Sequence, residues 1–165
     1  MTWIKPLKQA EIKELEIYDE LKQPVDVFMR LLANDPELLK AFVPLQRAVK
    51  SAPFPEVIKE IVITFVSLRN GCQYCTKSHG LLLKELTADE DILAKLDQYE
   101  SANFSEEIKT ILRYAEKLTA KPVQVRQEDL EAIKQFGYND KQIFQLNQLI
   151  AYTSYTNQIS IGLGL

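Results

Sequence analysis

No polybasic tract and no excess of positive charge occur in this 165-residue chain: Lys and Arg number 20, Asp and Glu 23, and the net charge is −3. The two signs are interspersed instead of being blocked into a tail, so nucleic acid is not an expected partner. No apolar run reaches the roughly 18 residues a membrane helix needs, so no membrane partner is expected. The start, Met1-Thr2-Trp3-Ile4-Lys5-Pro6, lacks the uninterrupted apolar core of a signal peptide, and a cytoplasmic location is expected. Internal repeats, low-complexity tracts and long linkers are absent too. What remains is ordinary: 46% apolar and 26% charged residues, with a length suited to a single domain over residues 1–165.

The hydrophobic pattern is helical nearly throughout. Ile12, Leu15, Tyr18 and Leu21 recur by threes and predict a helix from Gln9 to Lys22. Pro24 interrupts, a short helix is expected from Val25 to Leu32, and Asp35-Pro36 opens another over Glu37 to Lys50. Glu56 to Arg69 has hardly any polar face; its length favours a helix, although its β-branched residues would also suit a buried strand. Asn70-Gly71 is a stop signal. The next helix, Cys72 to Leu86, is expected to bury Leu81, Leu82, Leu83 and Leu86. Thr87-Ala88-Asp89-Glu90 reads as a capping box for a short helix towards Leu96. Ser105 caps a helix with a three-four repeat through Ile108, Ile111, Leu112, Ala115 and Leu118, ended by Pro122. Gln127 to Phe136 and a last helix from about Ile143 to Ile161, capped by Asn139-Asp140-Lys141-Gln142, complete an all-α bundle.

Both cysteines and the sole histidine lie within eight residues, Cys72-Gln73-Tyr74-Cys75-Thr76-Lys77-Ser78-His79. Two randomly placed cysteines would show this separation in roughly one such chain in eighty, and in a cytoplasmic protein the pair reads as catalytic or metal-binding before structural. The break at Asn70-Gly71 puts Cys72 at a helix N-terminus, where unpaired N–H groups and the macrodipole favour thiolate. Cys75 is one turn further on, and His79 follows four residues later on the same face, placed to take a thiol proton or stabilise the thiolate. Two other uses of the cluster are simple packing and zinc. Cys-x2-Cys-x3-His supplies three zinc ligands where structural sites usually take four, so an acid would have to complete the set. Neither a metal nor an organic cofactor is the expected outcome. Glu60, twelve residues before Cys72, shares a face with Thr64, Ser67 and Gly71. It either orients His79 and relays protons or is a solvated acid in a first helical turn; periodicity does not choose.

At these residues the chain resembles the alkylhydroperoxidase D and carboxymuconolactone decarboxylase superfamily, in its peroxidase-related branch. The shared element is Glu-x11-Cys-x2-Cys-x3-His, matched by Glu60, Cys72, Cys75 and His79. The likeness extends over Glu56 to Gly80, over Pro24 to Phe42, and over Ser105 to Leu163 with Ala115-Glu116-Lys117-Leu118-Thr119 and Phe136-Gly137-Tyr138. The resemblance implies a compact helical bundle with the CxxC at the N-terminus of a central helix, and a homo-oligomer (dimer, trimer or hexamer). It implies reduction of an organic hydroperoxide. Cys75 would attack and become a sulfenic acid, Cys72 would supply a proton and close the disulfide, and His79 and Glu60 would relay protons. A dithiol, or a thioredoxin- or lipoyl-type protein, would restore the thiols. The alternatives are a general thiol–disulfide oxidoreductase or redox sensor, and a non-catalytic zinc-binding or oligomeric module.

Three departures stand out. Alkylhydroperoxidase D has histidine between its cysteines where this chain has Tyr74. Relatives often carry Asn-Arg near the C-terminus, and here the pair is Asn157-Gln158. The decarboxylase branch generally lacks the cysteine pair, which counts against lactone decarboxylation. The last helix also carries Asn147, Tyr152, Thr153, Tyr155 and Asn157 among its apolar residues, expected to mark a partly exposed helix before a pocket.

Overall fold

The computed structural model describes residues 2–165, and every regular element among them is helical. The chain gathers into two compact units, residues 2–51 with 160–165, and residues 52–159.

In the first unit, α1 (Gln9–Ile12) and a 3-10 turn at Tyr18–Glu20 stand where a continuous helix was expected. Between them the backbone makes successive three-residue turns, Leu15 N–H to Ile12 and Tyr18 N–H to Leu15. Ile12, Ile17 and Leu21 are the buried positions, spaced by five and four instead of by three. So short a segment, charged at Lys13, Glu14 and Glu16, has too little apolar surface to stabilise a helix of its own. α2 (Val27–Leu32) is capped by Asp26, and α3 (Pro36–Lys50) by Asp35 with Pro36 in the first turn. Phe28 and Phe42 pack together, ring centroids 5.8 Å apart.

The second unit is built around α4 (Glu56–Arg69), whose residues from Glu60 to Ser67 are all buried. Its β-branched content does not make it a strand; burial on every side explains the missing polar face. α5 (Gln73–Thr87), α6 (Ile92–Asp97) and α7 (Glu106–Thr119) all pack on α4, and α8 (Gln127–Lys134) packs on α7. α9 (Asp140–Gly162) opens with the expected reciprocal cap: Gln142 N–H donates to Asn139, and Asn139 N–H donates to Gln142. Phe65, Leu83, Leu96, Leu112 and Ile150 are closed to solvent; each side chain so placed contributes about 1.5–3 kcal/mol.

Two details differ from expectation. On α5 only Leu83 of the four leucines is buried, while Leu81, Leu82 and Leu86 are exposed. The inward row instead runs through Cys75, Gly80 and Leu83, because Gly80 lets α5 come close to Leu93, whose methyls would lie 3.0 and 3.2 Å from a Cβ there. Nor does Thr87 open a helix. It ends α5, its hydroxyl donating to Leu83 C=O, and left-handed Ala88 (φ 51°) turns the chain before Asp91 starts α6.

Candidate redox site

The site begins with a helix end. Gly71 N–H donates to Leu68 C=O and Cys72 N–H to Ser67 C=O, the paired bonds of a glycine-terminated helix, with Gly71 left-handed at φ 71°. That turn delivers Cys72, extended in backbone, as the N-cap of α5. Its sulfur takes the place a cap oxygen normally fills and accepts the Cys75 N–H at 3.3 Å. Cys72 and Cys75 are joined in a disulfide, with Cα atoms 5.3 Å apart. Both sulfurs lie inside the protein, Cys72 at 1% exposure and Cys75 at 7%.

One helical turn beyond Cys75, His79 Nδ1 meets Glu60 Oε2 at 2.7 Å. Glu60 is only 3% exposed. It is therefore no solvated first-turn acid but a buried one, bonded to His79. Facing a carboxylate, Nδ1 is the protonated nitrogen and donates, which leaves Nε2 to accept or release a proton. A buried carboxylate needs such a partner, because leaving it unpaired would cost several kcal/mol.

α9 closes the other end of this region. Asn70 Nδ2 donates to Asn157 Oδ1 at 3.0 Å and to Ser154 Oγ at 3.1 Å, while Asn157 Nδ2 donates to Ser67 Oγ at 3.1 Å. Asn157 thus grips both the last turn of α4 and the residue that caps it. Thr153 is buried as well, and Asn147 donates to Tyr114 OH at 2.8 Å. The expectation of a partly exposed polar helix fails at Thr153 and Asn157 and holds at Tyr155. The signal was present: Ile143, Leu146, Ile150, Thr153 and Asn157 form one three-four row that turns from apolar to polar without leaving the core.

Arg69, just before the turn, stands at the centre of a polar cluster that no local sequence signal marks. Its guanidinium donates to Glu116 and twice to Asp97, and stacks 4.6 Å above the Phe65 ring. Tyr99 OH donates to the second Glu116 oxygen at 2.8 Å. Burial, followed by that hydrogen bond and the Glu116 charge, pushes the Tyr99 phenol above its usual range. Among the described residues, no group of three or more His, Cys, Asp and Glu side chains is gathered so as to hold a metal ion.

Residues 36–117 match the Carboxymuconolactone decarboxylase family. Among curated relatives of this chain is protein YdfG of Bacillus subtilis (strain 168), 25% identical over 130 residues, covering 78% of this chain and 88% of YdfG. An alkylhydroperoxidase D-like fold is shared with solved structures. A peroxidase-related protein from Silicibacter sp. TM1040 superposes with a TM-score of 0.81 at 23% identity, over 99% of this chain and 87% of the other. A cysteine-to-alanine variant of the debrominase Bmp8, in complex with 2,3,4-tribromopyrrole, superposes with a TM-score of 0.83 at 15% identity, over 99% and 90%. These likenesses show the fold; a shared fold does not by itself assign a reaction.

Proposed function

We propose that this protein is a thiol peroxidase that reduces organic hydroperoxides through Cys72 and Cys75. The observation that carries the proposal is a CxxC disulfide at the N-terminus of α5 with a buried Glu60 bonded to a partly exposed His79 one turn away. In the reduced enzyme His79 draws the proton from Cys75, and the thiolate attacks the terminal peroxide oxygen. The O–O bond breaks as the S–O bond forms, and the alkoxide leaves as alcohol on taking a proton. Cys75, now a sulfenic acid, condenses with the Cys72 thiol, releasing water and closing the disulfide. Two electrons from a dithiol, or from a thioredoxin- or lipoyl-type protein, reopen it.

Burial favours this over general exchange with protein disulfides. Cysteines exposed by only 1% and 7% as residues admit a small peroxide and a thin dithiol arm more readily than a folded partner's disulfide. Leu81, Leu82 and Leu86, exposed on α5, support assembly into a homo-oligomer.

A single-turnover titration tests the proposal. Fully reduced, metal-free protein is mixed with an organic hydroperoxide, and thiols lost and peroxide consumed are counted. The expected result is loss of both thiols per peroxide, faster than for a small free dithiol. Unreacted thiols that still exchange with added disulfides would instead assign the pair to disulfide exchange.

A further inference from the structure

Thr64 is closed to solvent, at 0% exposure, and its hydroxyl has no hydrogen-bond partner among the described residues. A buried hydroxyl left unpaired costs about 1–3 kcal/mol, and such a group calls for an explanation. Helical threonines commonly return the proton to the carbonyl four residues back, as Thr153 does to Leu149 and Thr119 to Ala115. Thr64 makes no such bond.

The register of the α4–α5 hairpin says what Thr64 faces. At one end Cys72 N–H is bonded to Ser67 C=O, and at the other His79 is bonded to Glu60. Thr64 lies four residues after Glu60 and three before Ser67; Cys75 lies four before His79 and three after Cys72. Helices rising equally per residue and pinned at both pairs bring the two middle positions level. Thr64 and Cys75 are those positions, on facing rows and both buried.

We propose that the Thr64 hydroxyl is the hydrogen-bond donor to the Cys75 sulfur in the reduced protein, and is without a partner only while Cys75 is tied to Cys72. A disulfide sulfur is a weak acceptor and a thiolate or sulfenate a strong one, so the bond forms when the disulfide opens. Thr64 then stabilises the nucleophile and the disulfide state carries the unpaired group, which biases the pair towards reduction. His79 and Glu60 are the titratable groups hydrogen-bonded on this face, and they approach from the turn beyond. The inference rests on the redox cycling of Cys72 and Cys75 and does not require peroxide as the oxidant.

The test uses the full chain with Thr64→Val, which keeps the shape and removes the donor, and Thr64→Ser, which keeps the donor. In a Cys72→Ser background Cys75 is the only thiol, and its alkylation by iodoacetamide is followed against pH. Valine should slow alkylation about tenfold at neutral pH and move the pH–rate midpoint up by about one unit, as loss of a hydrogen bond to an anion implies; serine should restore both. The oxidised Thr64→Val protein with both cysteines should melt no lower than wild type, because it loses no bond. A purely structural role for Thr64 would lower its melting temperature as well. Unchanged alkylation in the valine variant, or a serine variant as slow as valine, overturns the inference. Thr64→Ala serves in the same assay if the valine variant does not fold. Peroxide consumption by wild type is measured in parallel. Slow alkylation in the valine variant with no peroxide turnover sustains the inference and removes the peroxidase proposal; unchanged alkylation with peroxide turnover does the reverse.

Discussion

Cys72 and Cys75 receive different help from the same helix. Cys72 holds the cap position and accepts the Cys75 N–H, but it is almost fully enclosed. Cys75 is the more open of the two and lies one turn from His79, so proton removal and access both favour it as the attacking sulfur. Cys75→Ser should abolish peroxide reduction in the single-turnover titration. Cys72→Ser should permit one oxidation and leave a sulfenic acid that a dimedone probe captures; full turnover in the Cys75 variant would reverse these roles. Glu60→Gln retains a hydrogen-bonding side chain beside His79 but removes the carboxylate that holds the proton on Nδ1. Its rate of Cys75 oxidation should fall by about 10²-fold, the lower end of what general acid–base groups supply. The same variant should change the pH–rate profile, and an unaltered profile would take Glu60 out of the relay.

Elements fix where these residues stand. The α4–α5 turn depends on Gly71, where a side chain would meet no neighbouring atom but would have to adopt a left-handed backbone. Gly71→Ala should therefore cost about 1–2 kcal/mol, read as a lower midpoint in urea, without any clash. The turn was legible in Asn70-Gly71, and its consequence, a cysteine at the cap, followed from local rules. The partner of Glu60 was not, because a helix face shows which residues line up and not what comes to meet them. Asn157 lies still further from sequence reasoning: its bonds to Asn70 and Ser67 reach back almost ninety positions along the chain. Asn157→Ala would leave Asn70 and Ser67 short of partners inside the protein. A loss of about 1–3 kcal/mol is expected, and a drop in Cys75 reactivity should accompany it as the turn loosens.

For the whole molecule the disulfide is a small contributor to stability. A loop closed over a separation of three residues removes little freedom from the unfolded chain, about 2 kcal/mol on the chain-entropy estimate. Reduced protein should keep its helical circular dichroism and melt only about 4–8 °C lower; unfolding on reduction would mark a structural staple. Alkali acts elsewhere. Burial and then the hydrogen bonds to Glu116 and Glu107 raise the Tyr99 and Tyr138 phenols above the ordinary value of 10.0. Their contribution to stability is full below that value and declines as pH rises through the folded-state range, since the unfolded chain gives up these protons first. In an absorbance titration Tyr99 and Tyr138 should ionise late, together with unfolding. The sequence by itself determined the helical class, most helix ends and the clustering of Cys72, Cys75 and His79 at one helix start, because periodicity, caps and a clustered motif act within a turn or two of the chain. Only the tertiary structure decided that Glu60 is buried against His79, that Leu81, Leu82 and Leu86 face outward, that Asn157 closes the turn and that the Thr64 hydroxyl is buried without a partner among the described residues. Each of these depends on which helix packs against which face, and that is settled by burial shared among segments far apart in sequence.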